Sequence, residues 1–182
     1  DEIDAPERVR YALVWKPPQG IFARWPGLRL VINLGAGVDS IARRSDLPDV
    51  PVTRISDPEM ARMMASWVLF AVLRHLRDIP EFEDAQRKRE WRYIHPRPTT
   101  GRTVAVLGVG ELGRPAAEEV ARLGCDVHGW SARPKSIPGL TMRHGPEALR
   151  EVLARADVVV SMLPLTPETR GLLGAEAFAA MR

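Results

Sequence analysis

The sequence predicts an α/β protein built on a parallel sheet, and three observations carry that prediction. Thr103 to Leu107 is β-rich and almost wholly apolar, as a strand buried on both faces of a parallel sheet should be. It runs straight into Gly108-Val109-Gly110-Glu111-Leu112-Gly113, a G-x-G-x-x-G loop that opens a helix. A second strand, Asp126 to Trp130, follows that helix, and a third, Val158 to Met162, comes one βα unit later.

Each glycine of the loop has a mechanical task. Gly108 makes the tight turn, Gly110 lets the backbone approach a pyrophosphate, and Gly113 lets helix and strand pack closely. The helix carries Leu112, Ala116, Val120 and Leu123 on one stripe, and Pro115 falls in its first turn, where proline is tolerated. Its free N–H groups and positive dipole end then face the phosphates. Strand, loop and helix together predict a Rossmann-type, doubly wound dinucleotide-binding sheet. The strands at Thr103, Asp126 and Val158 are expected in spatial order 3-2-1, with one edge of the Thr103–Leu107 strand free.

Cofactor choice is read at the end of the second strand. An NAD site places an acidic residue there to accept hydrogen bonds from the ribose 2′-OH. Here the place is taken by neutral Ser131, with Arg133 and Lys135 close behind, and Pro134 biases Arg133 towards an extended backbone. A 2′-phosphate would meet two cations and no carboxylate, so NADP is the expected preference, with NAD possible.

Earlier in the chain, Tyr11-Ala12-Leu13-Val14-Trp15 reads as a short buried strand that Lys16-Pro17-Pro18 ends. Leu28 to Leu34 reads as another, followed by the small-residue loop Gly35-Ala36-Gly37-Val38-Asp39. Its backbone N–H groups can hold a carboxylate, but this segment taken alone slightly favours a plain strand-to-helix turn. Leu47 to Arg54 is a proline-punctuated connection into a further short strand. Pro58 to Asp78 reads as one long helix whose Met60, Met63, Met64, Trp67, Val68, Phe70, Ala71 and Leu73 cover more than one face. Glu81 to Arg92 reads as a charged helix. Its Arg87-Lys88-Arg89 is diluted by Glu81, Glu83, Asp84 and Glu90, as on a solvated face. Tyr93 to Gly101 is a linker back to the sheet.

Composition narrows the function. The 26 basic and 23 acidic residues leave a net charge of +3, too small and dispersed an excess to argue for nucleic acid. The single Cys125 excludes an internal disulfide framework and a cysteine-rich metal site, and no metal is expected. The longest apolar run, Met63 to Leu73, is too short to span a bilayer, and Asp1-Glu2-Ile3-Asp4 carries no signal pattern. A cytoplasmic enzyme without membrane association is the expectation.

Taken in order, these pieces resemble the D-isomer-specific 2-hydroxyacid dehydrogenases, closest to the glyoxylate/hydroxypyruvate reductase A branch. The matching segments are Tyr11 to Pro18, Leu34 to Asp39, Val106 to Gly113, Trp130 to Ser136 and Leu163 to Thr169. The resemblance implies two α/β domains, a flavodoxin-like substrate domain at residues 1–57 and a Rossmann domain at 58–182, both incomplete in this chain. It implies that Ala36 and Gly37 help hold a substrate carboxylate. The implied cofactor contacts are Gly108, Val109, Gly110, Glu111, Leu112 and Gly113, then Ser131, Arg133 and Lys135, and finally Leu163, Pro164 and Thr169. The implied activity is reduction of a small 2-oxo acid to the 2-hydroxy acid by hydride transfer from a nicotinamide cofactor, in a homodimer.

Two features depart from the family pattern. Ala65-Ser66 stands where an acidic residue is common, and the family's catalytic arginine, acidic residue and histidine are expected beyond Arg182. His75, His95, His128 and His144 show no base-orienter pattern with a carboxylate, so no catalytic residue is assigned in this chain. A non-catalytic dinucleotide-sensing module that binds a protein partner is the alternative, because fold alone does not separate the two.

Overall fold

The computed structural model describes residues 3–41 and 44–182. They form two compact units: the described residues up to Asp57 with Pro164–Arg170, and Pro58–Leu163 with Gly171–Arg182.

In the first unit, β1 (Tyr11–Val14), β2 (Leu30–Asn33) and β3 (Val52–Arg54) form a parallel sheet in the order β1-β2-β3. Side chains alternate across it as the pleat requires. Ala12, Val14 and Val31 point into a core closed by Phe22, Trp25, Leu28 and Ile41. Tyr11 and Leu13 face the other way and are exposed, so β1 is buried on one face where its apolar run predicts two.

The loop after β1 is held from a distance. Arg44 donates through Nη1 to the Pro17 carbonyl and through Nη2 to the Pro18 carbonyl, both at 2.6 Å. Its Nε and Nη2 form a bidentate pair with Asp46 at 2.8 and 2.7 Å, and the guanidinium lies 4.8 Å from the Phe22 ring centroid. Two prolines cannot donate, so their carbonyls are the loop's available handles, and Arg44 takes both. The hydrogen bonds from Arg44 hold the Asp46 carboxyl below the usual carboxylate range. A depressed folded value stabilises the fold above about pH 4, the ordinary value for Asp, and that contribution is lost as pH falls through the folded value. Arg44→Ala should therefore lower the thermal midpoint by several degrees at neutral pH, and the gap to wild type should narrow in acid. Melts followed by circular dichroism at pH 7 and pH 3 check this, and equal midpoints at pH 7 contradict it.

The second unit begins with α1 (Pro58–Leu76) and α2 (Ile79–Lys88). The single helix expected over Pro58–Asp78 ends two residues early, because Asp78 adopts a left-handed backbone (φ 55°) and caps α2. Asp78 is buried and ion-paired with Arg97, which ties the turn to the chain leading back to the sheet. α2 in turn starts before Glu81, at Ile79-Pro80, and closes at Arg89, again left-handed.

The sheet contains β4 (Thr103–Leu107), β5 (Asp126–Ser131), β6 (Thr141–His144) and β7 (Val158–Ser161), all parallel, in the order β6-β5-β4-β7. This corrects the expected 3-2-1 order. The Val158 strand lies on the far side of β4 from β5, in register Val104 to Val158, so β4 has neighbours on both sides and no free edge. The outer place beside β5 belongs to β6, whose Thr-Met-Arg-His sequence carries one apolar residue.

Residues Val104 to Leu107 are fully buried and serve two cores. Val104 and Val106 pack with Ala65, Val68, Val72 and Leu76 of α1 and with Ala116, Ala117 and Val120 of α3 (Gly113–Arg122). Ala105 and Leu107 pack with Leu149, Val152 and Leu153 of α4 (Gly145–Arg155). Helices thus cover both faces of the sheet, as an all-parallel sheet requires. A short α5 (Ala175–Ala179) follows. Among the described residues no helix is long and apolar enough to cross a membrane.

Candidate dinucleotide and carboxylate sites

The glycine loop sits at the carboxyl end of β4, where ligands bind in open α/β sheets. Its three glycines differ in what a side chain would meet. Gly108 has φ +92°, and a Cβ there would stand 2.9 Å from the backbone of Met162. A Cβ on Gly113 would lie 2.0 Å from the Gly108 carbonyl oxygen, so the loop closes on the first turn of α3 only because both are glycine. A Cβ on Gly110 would meet nothing within 4 Å. That residue faces open space, where a pyrophosphate has room to approach the backbone.

The donors fit the same group. The Gly108 amide is spent on the Trp130 carbonyl at 2.9 Å. The amides of Val109, Gly110 and Leu112 donate to no group among the described residues, and no side chain caps α3 at Leu112. Amides left without a partner at the positive end of a helix are the donor set that a phosphate satisfies. Glu111 and Leu112 form the turn between loop and helix.

Ser131, Arg133 and Lys135 follow the end of β5. The Ser131 hydroxyl donates to the Arg133 carbonyl at 2.7 Å and turns the chain outward. Arg133 is exposed, and its guanidinium has no partner among the described residues. Lys135 reaches back across the fold and donates from Nζ to the Val109 carbonyl at 2.8 Å. The end of the second strand is thereby joined to the glycine loop, a link that no local spacing in the sequence reveals. Leu163 lies against the same loop: its Cδ2 is 3.0 Å from where a Gly108 Cβ would stand.

Pro164 and Thr169 belong to the first unit. The Thr169 hydroxyl donates to the Pro164 carbonyl at 2.6 Å and accepts from the Thr166 amide at 2.8 Å, which folds the segment into a closed turn. Leu165, Thr166, Pro167 and Arg170 of this segment line a cavity of about 270 Å³ together with Asp39.

Ala36 and Gly37 lie in the loop at the carboxyl end of β2, and their amides donate to no group among the described residues. Beneath them is Asn33, 1% exposed, whose Nδ2 donates to the Gly35 carbonyl at 2.9 Å and to the Gly37 carbonyl at 2.6 Å. Asn33 belongs to no sequence motif. The available signal is a polar residue at an inward position of an alternating strand, two residues before the first glycine of the loop.

Histidine 128 departs from its expected isolation. It is buried, and its Nε2 lies 2.9 Å from Asp126 Oδ2. Residues two apart on a strand share a face, which puts the carboxylate within reach. The pair occupies the amino-terminal half of β5, away from the carboxyl end that carries the loop. Ser66 spends its hydroxyl on the Met63 carbonyl of its own helix at 2.8 Å. No group of three or more metal-ligating side chains is present among the described residues.

Three comparisons bear on this geometry. Residues 69–182 match the family profile described as D-isomer specific 2-hydroxyacid dehydrogenase, NAD binding domain. Glyoxylate/hydroxypyruvate reductase A of Serratia proteamaculans is 37% identical over 175 residues, 93% of this chain and 56% of that protein. Among solved structures, a D-isomer specific 2-hydroxyacid dehydrogenase from Xanthobacter autotrophicus, in complex with NADPH and MES, superposes with a TM-score of 0.93 at 63% identity. The match covers 99% of this chain and 57% of that one. An NADPH-dependent glyoxylate/hydroxypyruvate reductase from Sinorhizobium meliloti, in complex with NADP and sulfate, gives a TM-score of 0.90 at 38% identity, covering 96% of this chain and 55% of that one. The chain thus spans a little over half the length of the relatives it matches.

Proposed function

This chain belongs to the D-isomer specific 2-hydroxyacid dehydrogenase family, and from that premise we propose that its full-length form is an NADPH-dependent reductase of small 2-oxo acids such as glyoxylate and hydroxypyruvate. One observation carries the cofactor half of the reading: the exposed, unpartnered Arg133 follows Ser131 at the strand end where an NAD site would place a carboxylate. The relatives solved with NADPH or NADP support the same choice.

The amides of Val109, Gly110 and Leu112, with the amino-terminal end of α3, hold the pyrophosphate, and Glu111 and Gly113 shape the turn around it. Leu163 packs against the glycine loop, and Ser131, Arg133 and Lys135 receive the 2′-phosphate. Pro164 and Thr169 contribute the remaining cofactor contacts. Ala36 and Gly37 hold the substrate carboxylate through backbone N–H groups. A bound reduced nicotinamide supplies the hydride. No acid–base residue is assigned within these 182 residues. On this reading residues 1–57 are the substrate domain, of flavodoxin-like topology, and 58–182 the dinucleotide domain of a cytoplasmic enzyme.

The test is steady-state oxidation of NADPH by full-length protein with glyoxylate or hydroxypyruvate. Turnover is expected. Tight NADPH binding without turnover on any small 2-oxo acid would favour a sensing module instead.

The proposal includes a homodimer. Met63, Trp67 and Phe70 lie on the face of α1 opposite its buried stripe, at 66, 63 and 55% exposure, with the Trp67 and Phe70 rings 5.6 Å apart. An exposed apolar patch of this kind is a surface that a second copy would cover. Trp67→Glu should convert the dimer to monomer in light scattering at micromolar concentration. A wild-type monomer under the same conditions contradicts the proposal.

A further inference from the structure

We propose that Asn33 is the positioning residue of the carboxylate loop, and that it creates the site's preference for a carboxylate by turning the Gly35 and Gly37 carbonyls inward. The inference rests on the reading of Ala36 and Gly37 as carboxylate donors. Asn33 occupies an inward position of β2, two residues from fully buried Val31, where the alternation calls for an apolar side chain. A buried amide must find partners, and the two that its nitrogen finds are both in the loop, two and four residues on. One NH₂ group carries two hydrogens, enough for two carbonyls. With both donated, Gly35 and Gly37 present their carbonyl oxygens to the protein and not to the ligand.

The electrostatic consequence is specific. A carbonyl oxygen facing an incoming carboxylate repels it, whereas an amide hydrogen attracts it. A small glycine-rich loop samples both orientations freely, so the outward display of the Ala36 and Gly37 amides needs an anchor. The backbone of Asn33 is fixed as well, since its carbonyl accepts from the Ile55 amide at 3.2 Å and the next amide, that of Leu34, donates to Val14 at 2.8 Å. The anchor is therefore rigidly mounted on the sheet.

The test compares glyoxylate with its neutral amide, glyoxylamide, as substrates of full-length protein with saturating NADPH. Wild type should prefer the carboxylate. Asn33→Ala and the milder Asn33→Ser should raise KM for glyoxylate at least tenfold, change kcat little, leave KM for glyoxylamide nearly unchanged and leave NADPH affinity unaltered. Loss of packing alone would lower the active fraction and kcat for both substrates together, which would overturn the proposal. Variants that keep the wild-type preference for the carboxylate would overturn it too, with the Ala36–Gly37 reading intact. Wild type without any such preference would remove that reading itself. Circular dichroism melts monitor folding in each variant, and Asn33→Ser gives the answer should the alanine variant not fold.

Discussion

Gly113→Ala will destabilise the second unit by on the order of 3 kcal/mol or more, because its methyl would sit 2.0 Å from the Gly108 carbonyl oxygen. Neither group can yield. The carbonyl belongs to the backbone that leaves the central strand, and Gly113 begins a helix whose Ala116, Ala117 and Val120 are fully buried. The same substitution three residues earlier has the opposite profile. Gly110→Ala meets no atom within 4 Å, so stability should change by less than about 0.5 kcal/mol. Its methyl fills the space through which a pyrophosphate reaches the loop amides, so dinucleotide affinity should fall at least about tenfold, or 1.4 kcal/mol. Chemical denaturation and cofactor titration of both variants check the contrast. Equal stability loss at the two positions contradicts it.

The second large effect concerns Arg133. Arg133→Ala should weaken NADPH binding by about 10- to 100-fold, the value of a charge-assisted hydrogen bond to phosphate, and leave NADH affinity within twofold of wild type. The side chain has no ion-pair partner among the described residues, so its removal breaks nothing in the free protein. Parallel equilibrium titrations with the two cofactors separate recognition of the 2′-phosphate from binding in general. An equal loss for both cofactors contradicts this role.

What the sequence reveals and what it hides follow from the range of the interactions. The apolar run of β4, the glycine loop and the amphipathic α3 are local patterns, and each lies within a residue or two of its expected place. Strand β6 is hidden because an edge strand covered on one side needs no apolar run: Arg143 and His144 are exposed, and Thr141 and Met142 half-buried. Without β6 the place beside β5 falls to the Val158 strand, which in the structure pairs with the other side of β4. The reach of Lys135 to Val109 spans 26 residues and that of Arg44 to Pro17 spans 27, distances over which spacing carries no information. The hold of Asn33 on its own loop is short-range. It carries no motif signal, because a lone asparagine before a glycine loop is as common on exposed turns as in a buried strand, and only its burial gives it this role.

The most direct test of the central claim follows the hydride. Full-length protein is supplied with glyoxylate and NADPH deuterated at both positions of the nicotinamide C4, and the product is analysed by mass spectrometry. A reductase that binds the dinucleotide at the Gly108–Gly113 loop predicts one deuterium on the hydroxyl-bearing carbon of glycolate, with one equivalent of NADP formed. Glycolate without deuterium, or no glycolate while NADPH remains bound, would contradict the assignment.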